Sequence, residues 1–361
     1  MSRFRISFRL VSSLGTPFQA DTIFGHICWA IRYLEGEKAL EEFLAAYDDA
    51  PPLLISDGFP VVGGSFYLPR PTLPAPPQDL EATAESVGVD SNDRGALRQF
   101  AAAWKALQKK PYVEFDTLMT RAGPLSFRGI AGDCFALRIC PKSMAARDDA
   151  TCGCEDWREC PAMGSEAKTA ACRVDCPDQA TMVTMHNVIN RWTMASVNLY
   201  AREDSFPSHG LYLLARIDDR VMTSERLRAC LKYICATGYG RDKSTGCGAI
   251  GDLAVEEWSP PQIEGANAFL NLSSAYVPRA GKLGRGYYGV HVKRGKLGED
   301  YGLRHSPWKR PVLMIRAGSV FEGDPAADHG TLVPGVHYEL DNVVQYGYAY
   351  PLGVKLDVQA L

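Results

Sequence analysis

The sequence predicts an α+β protein with a ferredoxin-like N-terminal part and a second part made mainly of antiparallel β structure. Before residue 260, strand-like and amphipathic helical segments alternate in the order strand, helix, strands, helix, strand. Beyond Pro261 the segments are short and strand-like. Residues 140–180 differ from both parts, because small, polar and cysteine residues dominate there and aliphatic residues are rare, which indicates an inserted cysteine-rich lobe.

Length and composition narrow the class of protein. A chain of 361 residues exceeds what one core usually supports, so we expect two domains, 1–260 and 261–361. With 46% hydrophobic and 22% charged residues, the composition is that of a soluble protein. The sequence shows no bilayer-spanning apolar run and no signal-peptide core, so we expect a cytoplasmic protein. The net charge of −3 argues against a free-standing nucleic-acid binder.

The N-terminal part is predicted to begin with a strand at Phe4–Leu10, where polar and apolar residues alternate. A helix follows, with Asp21 as its N-cap. Its buried stripe comprises Ile23, Ile27, Ala30, Ile31 and Leu34. A second helix spans Thr223–Cys235, and Ala249–Trp258 is predicted to be a strand. The apolar face of that helix comprises Leu227, Cys230, Leu231, Ile234 and Cys235.

An insertion of loop and helix is predicted over residues 75–120. The segment Pro69–Pro77 contains too many prolines for a regular helix or a central strand, and a helix is predicted around Leu97–Leu107. The strands predicted after Pro261 are Ala268–Ser273, Tyr287–Lys293, Val312–Ala317, Val336–Leu340 and Val343–Leu352.

A glycine-rich loop joins the second helix to the strand after it. The pattern G-x-G-x5-G-x-G begins at Gly238, where a helix C-cap usually lies. Glycine permits positive φ and close backbone approach, so amides and cations could hold phosphate oxygens here. Walker and dinucleotide loops run from strand to helix and are excluded, whereas a glycine-rich hairpin without a ligand remains the alternative. The candidate phosphate-binding residues are Gly238, Gly240, Arg241, Lys243, Ser244, Gly246 and Gly248.

A basic segment lies in the second part of the chain. Between Arg279 and Arg310 there are nine Lys or Arg residues and only two acidic ones, interleaved with tyrosines and Trp308. Such a mixture suits a single nucleic-acid strand, and a solvated loop is the alternative. Lys293 and Arg294 are the candidate RNA-binding residues of this segment.

The cysteine-rich lobe predicts a structural zinc site. Thiolates concentrated in a segment with few apolar residues suggest that a metal supplies folding energy that a core does not. The spacing does not identify which four would bind, and an iron–sulfur cluster or unligated redox thiols are alternatives. The candidate ligands are Cys152, Cys154, Cys160, Cys172 and Cys176.

No catalytic residue is assigned. His26 on the first helix could act as a general base toward an RNA 2′-hydroxyl, but the structural interpretation of a half-buried helix histidine is favoured. Asp57, Asp116 and Asp133 are interpreted as structural acids. The polar segment Met185–Met194 follows the lobe and offers hydrogen-bond donors to RNA or a partner. Its candidate contacts are His186, Asn190 and Arg191.

These segments together resemble the RAMP superfamily of CRISPR proteins, and most closely the Cas-five-type, Csm-like subunit of type III effector complexes. The first helix resembles the family's S-D-T-L-F-G-A-L-C-W segment, and the glycine-rich loop resembles its G-x-G-x-D-x-S-x-G-x-G loop. His26 departs from this pattern, since the family usually has a small residue there. The matching segments are Ala20–Trp29, Leu53–Pro60, Tyr67–Pro71, Asn187–Thr193, Gly238–Gly248 and Gln345–Tyr350.

The resemblance implies two ferredoxin-like, or RRM-like, domains, the second one reduced. It also implies a thumb hairpin, near residues 120–195, that would lodge in the guide–target duplex. The implied partners are the 5′ repeat-derived handle of a crRNA, a large Cas-ten-type subunit, a backbone RAMP subunit and the target RNA near the thumb. The cysteine-rich lobe is not general in this family, so zinc rests on the local pattern alone.

The function that we predict is crRNA binding without catalysis, as a subunit of a type III interference complex. A RAMP endoribonuclease that processes CRISPR repeat RNA is the enzyme-class alternative. A zinc-stabilised assembly protein without RNA contact is a third possibility.

Overall fold

The fold was analysed on a computed structural model that describes residues 1–74, 80–86, 89–108, 111–121, 123–127, 129–130, 179–207, 209–276 and 283–357. Its mixture of helices and antiparallel sheets confirms the predicted α+β class. The cysteine-rich lobe lies outside the described residues. Among the described helices, none has the length and hydropathy needed to cross a bilayer.

The described elements are numbered in chain order. The strands are β1 Ser2–Leu10, β2 Leu53–Ile55, β3 Phe59–Val62, β4 Ser65–Pro69, β5 Tyr112–Glu114, β6 Gln179–Ile189, β7 Ser196–Pro207, β8 Gly210–Ile217, β9 Ile250–Glu257, β10 Ala268–Asn271, β11 Gly286–Tyr287, β12 Val290–Lys293, β13 Val312–Ile315, β14 Val320–Glu322, β15 Leu332–Val333, β16 Gln345–Tyr346 and β17 Pro351–Val354. The helices are α1 Ala20–Glu35, α2 Glu37–Ala45, α3 Leu80–Ser86, α4 Arg94–Gln108, α5 Phe115–Met119, α6 Ser224–Thr237 and α7 Tyr301–Arg304.

The first sheet is antiparallel, with the strand order β5-β4-β3-β8-β1-β9 and β2 also pairing with β8. Strand β1 is central: Ile6 pairs with Leu213 on one side and with Val255 on the other. Because side chains alternate along a strand, its apolar residues share one face. Those residues are buried: Phe4, Ile6, Phe8 and Leu10.

Helix α1 begins two residues earlier than the sequence predicted. Its N-cap position is Gln19, which makes no side-chain cap, so the assignment of Asp21 as N-cap is wrong. The first-turn amide of Ala20 instead donates to Oδ1 of Asp57 at 2.7 Å. The predicted stripe is buried except for Leu34, which is half exposed in the last turn.

Helix α6 has the ends that its sequence indicates. The hydroxyl of Thr223 accepts from the Arg226 amide at 3.1 Å, and Gly238 ends the helix with φ of 82°. Its apolar face is buried, apart from Cys235, which is half buried. The helix packs beside α1, where the Arg226 guanidinium pairs with Glu35 at 2.8 Å.

The second part has a four-stranded antiparallel sheet of order β11-β14-β10-β17, with the two-stranded pairs β12-β13 and β15-β16 beside it. The predicted strand over Val336–Leu340 is wrong: these residues form a bend, in which His337 accepts from the amides of Glu339 and Leu340. The predicted strand over Tyr287–Lys293 is split into β11 and β12.

One hydrophobic core joins the two parts. Leu270 and Tyr346 of the second part belong to the same cluster of buried residues as Ile6 and Phe24 of the first. The rings of Phe24 and Tyr346 lie 4.8 Å apart, and the Tyr346 hydroxyl accepts from the Ile55 amide at 3.1 Å. The two parts are therefore packed against each other in a fixed arrangement.

Strands β6 and β7 form a long hairpin, paired from Gln179–Pro207 to Ile189–Ser196. At about 3.3 Å per residue its 11-residue first strand extends roughly 35 Å. The apolar residues along it are exposed, and Trp192 at the tip is 97% exposed. The hairpin overlaps the predicted thumb, but its second strand continues to Pro207, beyond the predicted limit of 195.

Candidate nucleic-acid interface

A cleft of about 590 Å³ lies between helix α1, the glycine-rich loop and the loop that joins β12 to β13. Six cations and two carboxylates line it, so its formal charge is +4 in a chain whose net charge is −3. We call it the basic cleft. Its cations are Arg241, Lys243, Lys293, Arg294, Lys296 and Lys309, and its carboxylates are Asp21 and Glu299.

The glycine-rich loop adopts the left-handed conformations that its glycines allow. Gly238, Gly240, Gly246 and Gly248 all have positive φ, as does Asp242. A Cβ at Gly248 would overlap the carbonyl oxygen of Tyr239, so this position requires glycine. The loop contributes Gly240, Arg241 and Lys243 to the basic cleft, whereas Ser244, Gly246 and Gly248 do not line it.

Several amides of this loop are already used inside the protein. The Gly248 amide donates to the Ser13 carbonyl at 2.7 Å, and the Arg241 amide donates to the Thr16 hydroxyl at 3.0 Å. The Gly246 amide donates to the Lys243 carbonyl at 3.3 Å. The loop therefore offers the cleft its cationic side chains more than its backbone donors.

His26 supports the loop from helix α1. Its Nε2 accepts from the Gly240 amide at 2.9 Å, so the imidazole is neutral at that nitrogen. Burial, together with the nearby Lys243 ammonium, lowers the pKa of His26 to about 4. The sequence analysis interpreted His26 as a structural residue, and this hydrogen bond supports that interpretation. The sequence did not reveal its partner, Gly240, which lies 214 positions away.

Three of the cleft lysines are engaged by neighbouring oxygens. Lys243 pairs with Glu299, and Lys293 pairs with Asp21 at 3.1 Å while also donating to the Gln19 side chain. Lys309 donates to the Val344 carbonyl at 2.8 Å, and burial lowers its pKa. These ammonium groups attach the walls of the cleft to each other while contributing positive potential.

Arg294 and Lys296 are two of the three exposed cations of the cleft, and the third is Arg241. Both lie over the indole of Trp308, with Arg294 Cζ at 5.0 Å and Lys296 Nζ at 4.3 Å from the ring centroid. Within the described part of the chain, neither one has a carboxylate within ion-pair distance. Lys296 and Trp308 face each other across a bridge that extends the β12–β13 pairing.

An aromatic ring also lines the opposite wall. Trp29 of α1 stacks on Tyr33 with ring centroids 5.7 Å apart. Gly298 lies against its edge, where a Cβ would come within 2.9 Å of the indole Nε1. Lys296, Trp308 and Trp29 were not among the candidate site residues, although the alternation of cations with aromatics in residues 279–310 was the signal that could have found two of them.

His186, Asn190 and Arg191 lie on the hairpin and outside the basic cleft. His186 stacks on Tyr200 with ring centroids 5.4 Å apart. The Asn190 side-chain oxygen accepts from the amides of Trp192 and Thr193, which shapes the turn at the tip. The structure thus separates the predicted residues into two places, the cleft and the hairpin.

The candidate metal ligands Cys152, Cys154, Cys160, Cys172 and Cys176 lie outside the described residues. Within the residues that are described, no group of three or more potential ligands could hold a metal ion. Asp57, interpreted as structural, is buried and its Oδ1 accepts from the amides of Ala20 and Ser274. It links the two parts of the chain rather than facing the basic cleft.

Comparisons with known proteins confirm the resemblance to the Cas5-like RAMP subunits of type III CRISPR complexes. No protein-family model matches the sequence. The chain is similar to Csm4: it is 26% identical to the CRISPR system Cms protein Csm4 of Thermococcus onnurineus (strain NA1) over 343 residues, 94% of this chain and 92% of that protein.

Solved structures show the same fold. A chain in the crystal structure of a Csm1–Csm4 cassette in complex with pppApA aligns with a TM-score of 0.53 and 17% identity. The alignment covers 99% of this chain and 100% of that chain. The Csm3–Csm4 subcomplex of a type III-A CRISPR-Cas interference complex aligns with a TM-score of 0.54 and 13% identity, again over 99% and 100% of the two chains.

Proposed function

We propose that this chain is a non-catalytic RNA-binding subunit of a type III CRISPR interference complex, in which it holds the 5′ repeat-derived handle of the crRNA. The observation that carries the proposal is the basic cleft, a concentration of positive charge flanked by two indoles in a chain of net negative charge. A net positive charge concentrated in one cleft suits a subunit whose other faces meet protein.

The exposed cations suggest how RNA would be held. Arg294 and Lys296 would contact phosphates, since neither is neutralised by a carboxylate in the described residues. A base stacked on Trp308 would contribute about 1–3 kcal/mol. Arg241 and Lys243 of the glycine-rich loop would face the same strand from the other wall.

The partners follow from the similarity to Csm4. The solved relatives are complexes with Csm1 and with Csm3, so we propose that this chain bridges a large subunit and a backbone RAMP subunit. The exposed hairpin would act as the thumb, with His186, Asn190 and Arg191 near the paired guide and target RNA.

The domain organisation is part of the proposal. Within the first sheet the strands β3, β8, β1 and β9 are adjacent in that order, and α1 and α6 connect β1 to the β2–β3 region and β8 to β9. This is the strand order of a ferredoxin-like βαββαβ unit. We propose that residues 261–361 form a second, reduced unit of this kind and that the hairpin and the cysteine-rich lobe are insertions in the first.

The test compares RNA binding of the full-length protein with that of Arg294→Gln/Lys296→Gln. The matched control is Arg9→Gln/Lys38→Gln, which removes the same charge from exposed residues outside the cleft. Fluorescence anisotropy with a single-stranded repeat RNA over a range of salt concentrations measures affinity and its salt dependence.

If two phosphate contacts are lost, the slope of log K against log salt falls by about 1.4. The control should keep the wild-type slope. Equal slopes for the two double variants would contradict the assignment of the cleft as the RNA-binding site.

The endoribonuclease alternative depends on His26. Its Nε2 already accepts from Gly240 and its pKa is lowered to about 4, which does not favour a role as general base. Incubating the protein and His26→Ala with repeat RNA separates the two functions, because cleavage that requires His26 would refute the non-catalytic proposal.

We also propose a structural zinc in the cysteine-rich lobe, held by four of Cys152, Cys154, Cys160, Cys172 and Cys176. The support is their concentration in a segment with few aliphatic residues.

A further inference from the structure

A buried carboxylate lies at the base of the hairpin, beside the glycine-rich loop. Asp204 of β7 is 1% exposed. The next residue, Ser205, pairs with Leu14 through two backbone hydrogen bonds of 2.8 and 3.0 Å, so the hairpin base is attached to the segment that precedes α1. A charge this deeply buried requires strong partners, because it has lost most of its hydration.

Two arginines from different elements supply those partners. Arg202 Nε donates to Asp204 Oδ2 at 2.7 Å, and Arg241 Nη2 donates to Asp204 Oδ1 at 3.3 Å. Asp242 closes the set, with its Oδ2 3.6 Å from Arg202 Nη1 and 3.4 Å from Arg241 Nε. We call Arg202, Asp204, Arg241 and Asp242 the arginine–aspartate cluster; its formal charges cancel.

Arg241 belongs both to this cluster and to the basic cleft. Its Nη2 also donates to the Glu203 carbonyl at 2.9 Å, so Nε and Nη2 both point toward the hairpin base and Asp242. The side chain is nevertheless 44% exposed and lines the cleft. Among the described residues, no protein acceptor lies within hydrogen-bond distance of Nη1. The planar fork of a guanidinium can hold two sets of acceptors at once.

We propose that Asp204 is a positioning residue, which holds Arg241 so that one guanidinium both fixes the hairpin base and presents Nη1 to a phosphate in the basic cleft. Through this guanidinium, occupancy of the cleft and the orientation of the hairpin are coupled. The inference rests on the proposed RNA-binding function of the cleft.

Electrostatics alone makes the opposite prediction, which gives the proposal a sharp test. Removing an acid close to an RNA site should strengthen binding by simple Coulomb attraction. If Asp204 positions Arg241, its neutralisation weakens binding instead, since the guanidinium loses its fixed orientation.

The experiment measures repeat-RNA affinity of the full-length protein with Asp204→Asn. The control Asp300→Asn removes the same charge from a residue that pairs with Arg32 at 3.4 Å, outside the arginine–aspartate cluster. We expect Asp204→Asn to lower affinity roughly 5- to 10-fold, the size of a coupling between contacting residues, and Asp300→Asn to leave it unchanged or raise it. Affinity for Asp204→Asn equal to or above wild type overturns the proposal.

A double-mutant cycle distinguishes positioning from a general structural role. In an Arg241→Gln background, Asp204→Asn should have no further effect on affinity, because its action passes through Arg241. Additive losses would overturn the proposal. Arg241→Lys provides a second test if Asp204→Asn does not fold. This variant keeps the positive charge but loses the planar guanidinium, so it should bind RNA more weakly. Wild-type affinity for Arg241→Lys would also overturn the proposal.

Amide hydrogen exchange measures directly how firmly the base of the hairpin is attached. In the RNA-free protein, the amides of Leu14 and Ser205 should exchange faster in Asp204→Asn than in wild type, and added RNA should slow them only in wild type. Unchanged exchange in the RNA-free variant refutes the fixing of the hairpin by Asp204. Absence of RNA binding by the wild type would refute the proposed function instead, while this RNA-free comparison still tests the positioning role.

Discussion

Asp57 should make the stability of this protein depend on pH in an unusual direction. Its Oδ1 accepts from the amide of Ala20 at 2.7 Å and from that of Ser274 at 3.1 Å, which joins helix α1 to the second part of the chain. Burial raises the pKa of this carboxyl to about 7, against the lowering effect of the two amide hydrogen bonds.

Proton linkage determines whether the free energy of unfolding rises or falls with pH through this group. A carboxyl whose folded pKa lies above its unfolded value binds more protons in the folded state, so stability is lost as pH rises between the two values. With an unfolded pKa near 3.8 and a folded value near 7, the free energy of unfolding should fall by about 3 kcal/mol between pH 5 and pH 8 through this group.

Two substitutions separate the charge of Asp57 from its hydrogen bonds. Asp57→Asn keeps an oxygen acceptor for both amides and removes the titration, whereas Asp57→Ala leaves two buried amides without an acceptor. Relative to Asp57→Asn, which also lacks the titration, Asp57→Ala should be less stable by about 2–6 kcal/mol at all pH values, at about 1–3 kcal/mol for each of the two unsatisfied amides.

The measurement is urea unfolding followed by tryptophan fluorescence at several pH values from 5 to 8. The difference in unfolding free energy between wild type and Asp57→Asn cancels the contribution of other titrating groups, including His26. This difference should favour wild type progressively less as pH rises. A difference that does not change with pH would refute the buried, proton-binding assignment of Asp57.

Further predictions concern the glycine-rich loop, His26 and the metal. Gly248→Ala should destabilise the protein by more than about 3 kcal/mol, because its Cβ would overlap the Tyr239 carbonyl oxygen. Gly246→Ala, whose Cβ would meet open space, should cost only about 1–2 kcal/mol for its positive φ. Similar melting curves for the two variants would contradict this prediction. The stability advantage of wild type over His26→Ala should shrink as pH falls from 6.5 to 4, since a histidine with a lowered folded pKa loses its contribution through that range; taking the difference between the two proteins cancels the opposite contribution of Asp57, and an advantage that does not change with pH would contradict the buried, neutral assignment of His26. Purified protein should contain about one zinc per chain, and serine substitutions at the candidate cysteines should release it; elemental analysis that finds a folded, metal-free protein would refute the zinc proposal.

Much of the fold was predictable because it is encoded in local patterns. The alternation in Phe4–Leu10 and the helical spacing of Leu227, Leu231 and Ile234 each reflect burial on one face of a single element. The strand expected at Val336–Leu340 failed because its polar residues make local hydrogen bonds around His337 instead of pairing with a neighbouring strand. Strand propensity does not distinguish a strand from a bend here, because the competing side-chain hydrogen bonds depend on local geometry.

The candidate site was predictable only in pieces. The sequence marked Gly238–Gly248 and residues 279–310 as separate basic segments. It did not show that Lys243 of the first pairs with Glu299 of the second, nor that Arg294 and Lys296 both lie over the Trp308 ring in the cleft that both segments enclose. The partners of His26 and Asp57 were equally hidden, because no local pattern records them.

The sequence by itself determined the α+β class, the order of the main elements and the resemblance to the RAMP proteins, since repeated spacing and ordered motifs are properties of the chain. Only the tertiary structure decided which charges meet. His26 reaches Gly240 across 214 positions, and Asp57 reaches Ser274 across 217. Those contacts exist because one hydrophobic core holds the two parts together, and it is this shared packing that turns two basic segments into a single cleft.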